Sequence, residues 1–187
     1  MKRFIYIISI GLFVLASCTS TRRMSRKFSE KPEVITSQFS GERYANKPAD
    51  SSRDYARIPL WNQLAMYRPE KDSLPEIHRN AEISLSLEKN NMLKVIAYQD
   101  QEQLDGFEIP VRKRGKYLIL ENKTRVIPIP IIYFEVKESK EILAPLKNNR
   151  IGIHGYSDHT LWILFFGASS PGRSINEYER IDEMERR

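Results

Sequence analysis

The sequence predicts a mainly β protein, an antiparallel up-and-down meander forming a small barrel or a sandwich, with one short N-terminal helix. Three observations carry this. Ile83, Leu85 and Leu87 alternate with Ser84, Ser86 and Glu88, the period of a half-buried strand. Short apolar runs then recur, separated by turn-forming groups such as Asn90-Asn91, Lys113-Arg114-Gly115 and Asn148-Asn149. Within the folded part, helical spacing is confined to Arg57–Tyr67.

Taken in order, Phe39, Gly41 and Tyr44 within Gln38–Asn46 give an opening strand with a glycine bend, and Lys47–Tyr55 is a loop rich in Pro, Asp and Ser. Arg57–Tyr67 (RIPLWNQLAMY) places Pro59 where a helix starts and sets Leu60, Leu64 and Tyr67 on one face; Pro69 ends it. The strand over Ala81–Glu88 returns through Asn90-Asn91 as Met92–Gln99. Leu104–Val111 follows, with Phe107, Ile109 and Val111 on one face, and Gly115 turns the chain into Lys116–Leu120. Thr124–Val136 is apolar but carries Pro128 and Pro130, whose missing N–H donors suit an edge or bent strand. Arg150–His154 is a further strand, and Ser157-Asp158 is expected to turn into Thr160–Gly167 (TLWILFFG), which is apolar on both faces and expected to be central or packed under another layer.

The chain has 187 residues and a formal net charge of +6. Residues 1–17 read as a leader, and their removal leaves 170 residues carrying +4. That length suits one domain, and so mild a basic balance is no nucleic-acid signature. The expected organisation is a signal peptide over 1–17, a lipidated Cys18 with a flexible basic tether over 18–37, a single β-rich domain over 38–172 and a charged tail over 173–187. The tether carries a local +3 from Arg22, Arg23, Arg26, Lys27 and Lys31 against Glu30 and Glu33.

The leader supports the address. Lys2 and Arg3 precede the apolar run Phe4–Leu15, which is too short to span a hydrocarbon core of about 30 Å but fits a secretory h-region. It ends in Leu15-Ala16-Ser17-Cys18, and Cys18 is the only cysteine. This resembles the lipobox of bacterial lipoproteins. The resemblance implies diacylation and N-acylation of Cys18, cleavage before it, and anchoring in a membrane through several acyl chains. Thr19 in place of Asp after the cysteine implies sorting to the outer membrane, here expected to be periplasm-facing. A weaker likeness lies in Phe39-Ser40-Gly41-Glu42-Arg43-Tyr44, which is similar to the first strand of lipocalin-like barrels, with Gly-x-x-Tyr in place of Gly-x-Trp.

The chemistry-bearing residues are few. His154, Asp158 and His159 supply two imidazoles and a carboxylate within six residues, a weak metal-ligand set without a fourth member. No Gly-x-Ser-x-Gly elbow or phosphate-cradling glycine loop occurs, so no catalytic residue and no cofactor is assigned. Arg112-Lys113-Arg114-Gly115-Lys116 reads as a solvated hairpin tip. Tyr117, Ile119, Tyr133 and Trp162 are the lining expected of a ligand pocket if the strands close around one.

The expected function is that of a membrane-anchored cell-envelope lipoprotein with a non-catalytic binding or structural role. Its partners are the bilayer through Cys18 and an envelope protein, a glycan or a hydrophobic ligand. The alternatives are a lipocalin-like carrier, an assembly factor of an envelope complex and a metal-dependent enzyme. Cys18→Ser is expected to leave the leader uncleaved or release the protein from membranes; normal processing and retention in a membrane fractionation would overturn the lipobox reading.

Overall fold

The alternation around Ile83 builds the first of two antiparallel sheets. The computed structural model describes residues 21–35, 39–49, 57–70, 73, 75–129, 133–163 and 166–181. Sheet 1 holds β1 (Ser40–Ala45), β2 (Glu82–Leu87), β3 (Met92–Gln99) and β4 (Glu102–Pro110), in that order. Sheet 2 holds β5 (Arg112–Arg114), β6 (Tyr117–Ile129), β7 (Tyr133–Pro145), β8 (Arg150–Ile163) and β9 (Phe166–Glu179), again in sequence order. The two do not close into a barrel; they stack as a sandwich, as one of the two expected architectures required. Asn91, Asn149 and Gly115 all have positive φ (60°, 55° and 61°), so the turn residues read from the sequence do turn the chain.

Register explains the stacking. Ile83 pairs with Ala97 and Leu85 with Val95, so all four share one face of sheet 1. On sheet 2, Leu118 pairs with Leu143 and Leu143 with Ile153. These two rows face each other and, apart from solvent, form one cluster with Ile109 and Ile151, each at 0% exposure. A fully buried side chain of this size contributes about 1.5–3 kcal/mol, so the rows dominate the stability of the body.

The predicted helix is α2 (Leu60–Ala65), which packs Leu60, Trp61 and Leu64 onto the same cluster. Its Trp61 ring meets Phe107 edge-on, with centroids 4.7 Å apart. A polar chain ties α2 to sheet 2. The Gln63 amide donates to Glu141 Oε1 at 2.8 Å, and its carbonyl oxygen accepts from Asn176 Nδ2 at 3.1 Å and from the Tyr178 hydroxyl at 2.7 Å. Tyr67 donates its hydroxyl to the other Glu141 oxygen. Burial, and then the nearby Glu141 charge, push the Tyr178 phenol far above its ordinary value, so it stays a neutral donor.

Five expectations need correction. The segment assigned to the tether does not simply trail in solvent. Its short helix α1 (Thr21–Ser25) and the stretch after it bury Met24, Phe28 and Ile35. Met24 and Phe28 cover the second face of sheet 2 with Ile119, Ile142, Ala144 and Ile175. Lys113 and Lys116 of the basic turn donate to the carbonyls of Ile35 and Pro32, both at 3.0 Å, so this turn is a clasp and not only a solvated tip. The region assigned to the tail from residue 173 instead continues β9 to Glu179, where Tyr178 reaches the core. Ser157-Asp158 is no turn: β8 runs through it, because both neighbouring strands supply a continuous ladder. Finally, Thr124–Val136 divides between β6 and β7, which pair with each other.

Leu143→Ala removes a side chain from the middle of the facing rows and is expected to lower the unfolding free energy by about 2–5 kcal/mol. Thr160→Ala, half-buried on β8 beyond the body, is expected to change it by less than about 0.5 kcal/mol. Urea titration of both variants checks the contrast.

Candidate functional site: an uncovered arm and a basic cleft

Sheet 2 is much longer than sheet 1. β6 to β9 have 13 or 14 residues each, whereas the strands of sheet 1 have 6 to 9. The surplus projects as a four-stranded arm from the row Asn122, Lys140, Tyr156 and Arg173 to the row Ile129, Tyr133, Ile163 and Phe166. At about 3.3 Å per residue the arm reaches roughly 25 Å beyond the body. No described side chain within it is buried, on either face.

What holds the arm is its backbone ladder and polar pairs across strands. Glu135 accepts from Lys137 at 2.9 Å and contacts His159 on the adjacent strand. The hydrogen bond from Lys137 leads the causes that hold the Glu135 carboxyl below its ordinary range; the charges of Lys137 and His159 act the same way. Asp158 accepts from Ser169 at 2.6 Å and from Tyr156 at 3.4 Å. Both outer strands carry a proline, Pro128 in β6 and Pro171 in β9, while neither inner strand has one within the arm. This matches the edge placement expected of Pro128, since an edge proline forfeits no ladder donor.

The far end of the arm is different in composition. Residues 126–129, 133–134, 161–163 and 166 include no charged residue, and the register sets β7 and β8 side by side through Phe134 and Trp162. Val126 is 58% exposed and Trp162 37%. Thr160–Gly167 was expected to be central or covered, but its described part lies on this open end. The Trp162 ring lies against its cross-strand partner Gly167, where an added Cβ would stand 2.9 Å from the ring. A larger residue there displaces the indole.

The four residues expected to line one pocket are separated. Ile119 is buried under Met24 and Phe28, and Tyr117 packs beside it with its hydroxyl donating to Ser25 Oγ at 3.1 Å. Trp162 lies nine residues along β8 from Ile153, roughly 30 Å away. Tyr133 opens β7 near Trp162, and its side chain lies outside the described part. Between the sheets the space is filled by the facing rows, so the lumen on which a lipocalin-like carrier depends is not formed by the described residues.

His154, Asp158 and His159 do not converge either. On one extended strand His154 and Asp158 point to one face, four residues apart, and His159 points to the other. Among the described residues no three His, Cys, Asp or Glu side chains gather as a metal set. Cys18 lies outside the described residues.

His154 instead joins a site the sequence reading missed. It is 3% exposed, and its Nδ1–H donates to the Met24 carbonyl at 2.8 Å, because a carbonyl only accepts. The ring's Nε2 then carries a lone pair and has no hydrogen-bond partner. The His154 side chain borders a cleft of about 60 Å³ that Arg23, Met24, Lys27, Tyr156 and Arg173 also line. Burial, first, holds the His154 pKa below its ordinary value, and the charges of Arg173 and Lys27 add to this against the Met24 hydrogen bond. The signal available in the sequence was the alternation of His154 with Tyr156; its partners come from segments more than 120 residues before it and about 20 after it.

Fold and site together define a two-sheet antiparallel β-sandwich with a projecting single-layer arm. Compared with protein-family models, curated proteins and solved structures, the chain finds no match.

The depressed His154 pKa has a sign. The unfolded chain takes up the proton near pH 6.5 while the folded one resists it, so the neutral imidazole's contribution is complete above about pH 6.5 and is lost as pH falls toward the lower folded value. In phosphate-free buffer, wild-type protein is expected to lose stability relative to His154→Gln between about pH 7 and 5. Parallel urea curves at each pH would contradict it.

Proposed function

We propose that this protein is a lipid-anchored cell-envelope lipoprotein with a non-catalytic role, and that its arm holds another envelope protein near the membrane. The observation that carries the reading is the bareness of the arm. A sheet normally buries at least one face against a second layer. Here none of the described side chains of four paired strands is buried on either face, and Val126 and Trp162 are exposed toward the uncharged end. Exposed apolar surface at the end of a rigid extension marks a contact site. Open edges on β6 and β9 add the option of strand pairing with the partner.

The lipobox-like Leu15-Ala16-Ser17-Cys18 supports the anchor, and the Thr19 that follows supports an outer-membrane, periplasm-facing position. In this arrangement the acyl chains restrict the body to the membrane surface, and the arm supplies reach. Tethering raises the local concentration of the arm near any partner in the same membrane, so modest contact area suffices for a stable complex. An assembly factor of an envelope complex is the form of this role that the arm fits best.

A photo-crosslinking residue placed at Trp162 in cells is expected to yield one discrete protein adduct, whereas the same residue at the exposed body position Lys89 yields none. The adduct is expected to disappear when Val126→Asp is added, with membrane retention unchanged. Adducts to lipid alone, or equal labelling from both positions, would remove the partner-holding reading.

A further inference from the structure

The cleft at His154 combines features that the arm's role does not use. Three cationic side chains, Arg23 and Lys27 from the N-terminal segment and Arg173 from β9, line it together with His154, whose buried Nε2 has a lone pair and no hydrogen-bond partner among the described residues. The register explains the convergence. Tyr156 pairs with Arg173 and His154 with Ile175, so all four share the face that α1 covers. The other charged groups that the register places on this face are Lys140, Glu138 and Asp158 toward the arm and Arg150, Glu177 and Glu179 toward the body; Asp158 is engaged by Ser169 and Tyr156, Glu177 by Ser29 and Arg150, and Glu179 by Arg150.

We propose that this cleft binds a phosphate group that bears a hydroxyl, as inorganic phosphate or a phosphomonoester does. An anion is selected by the three cations, and guanidinium groups suit phosphate oxygens through paired donors. The lone pair narrows the choice further. A fully deprotonated oxyanion turned toward Nε2 meets lone pair with lone pair and is repelled. A phosphate monoanion donates its P–OH to Nε2 and keeps its charged oxygens for Arg23, Lys27 and Arg173. A monoester dianion has no hydroxyl and gains the same contact only by protonating the imidazole, whereas the inorganic dianion HPO4²⁻ keeps one P–OH and donates it directly. The space of about 60 Å³ exceeds what a single buried water occupies and admits a small tetrahedral group.

Sulfate and phosphodiesters lack the hydroxyl, so the site discriminates by a proton and not by charge or shape. For a phosphomonoester the bound state carries one proton that the free dianion and free neutral imidazole lack. The affinity for a monoester therefore falls as pH rises above about 7, by up to about tenfold per pH unit, whereas inorganic phosphate, whose dianion keeps a hydroxyl, escapes this slope. Under the lipoprotein reading α1 begins three residues after Cys18, so the phosphate can belong to a lipid headgroup or to a free solute.

The test follows the His154 ring nitrogens by NMR in the full chain held in phosphatidylcholine nanodiscs, titrated with inorganic phosphate and, separately, with sulfate. Phosphate is expected to shift the Nε2 signal saturably at least tenfold more tightly than sulfate at about pH 7 and to keep its affinity between about pH 7 and 8. Arg173→Gln is expected to weaken phosphate binding at least tenfold, and Arg173→Lys to restore part of it. Circular dichroism of both variants shows that the sheet is retained. His154→Phe, which keeps a ring without a nitrogen, is expected to abolish the preference for phosphate over sulfate. A second arm replaces part of the lipid with phosphatidic acid, a monoester, or with phosphatidylglycerol, a diester. A response to phosphatidic acid alone assigns the headgroup, and a response to inorganic phosphate without one to phosphatidic acid assigns the free solute. Equal binding of phosphate and sulfate, or no shift at Nε2 in any arm, overturns the proposal.

Discussion

The architecture depends on one packing constraint: alternate residues of β7 and β8 must face sheet 1. Leu143, Ile151 and Ile153 occupy that face at 0% exposure, opposite Ile83, Leu85 and Val95. Slipping either strand by one residue turns this row outward and puts His154 and Ile142 inward, so the body specifies the register of the whole of sheet 2. Because the strands are continuous, that register is transmitted along the arm, where no described side chain is buried to set it. The arm is thus aligned by a core that it does not share.

Glu141 marks the point where the two regimes meet. It is a buried carboxylate on the face toward α2, and Gln63 and Tyr67 both donate to it. One residue further along β7, Lys140 is half-exposed and the covering layer has ended. A buried carboxylate without donors is strongly destabilising, so α2 is fixed over this position as much by polar satisfaction as by Leu60 and Leu64. The same helix therefore closes the sandwich and sets where the uncovered sheet begins.

The N-terminal segment acts on the opposite face. Phe28 lies over Gly152, where a Cβ would stand 2.5 Å from its ring, so the absence of a side chain there makes the docking possible. Phe28 also meets the His154 ring at 77° with centroids 6.1 Å apart. Ser29 Oγ donates to Glu177 Oε2 at 2.5 Å, and the Lys113 and Lys116 ammonium groups hold carbonyls further along. A membrane tether entering at residue 21 would consequently meet a structured surface, and the basic cleft forms because this segment is laid down on β8 and β9.

The sequence by itself determined the class of fold, the position of α2 and the hairpins around Asn91, Gly115 and Asn149. These depend on period and turn chemistry, which are local properties of the chain. The edge placement of Pro128 was legible in the same way, and Leu15-Ala16-Ser17-Cys18 is the basis of the proposed membrane address. The lengths of β8 and β9 were decided only in the tertiary structure. Ser157-Asp158 and Pro171-Gly172 have turn-forming composition, and continuous ladders on neighbouring strands override it. The N-terminal segment looked solvated because its charges outnumber Met24, Phe28 and Ile35, and only the apolar second face of sheet 2 gives those three a place to bury. His154 was read beside Asp158 and His159 as neighbours in sequence. Strand alternation separates them, and the fold brings Arg23, Lys27 and Arg173 to His154 instead, since proximity across a sheet follows register and not sequence distance.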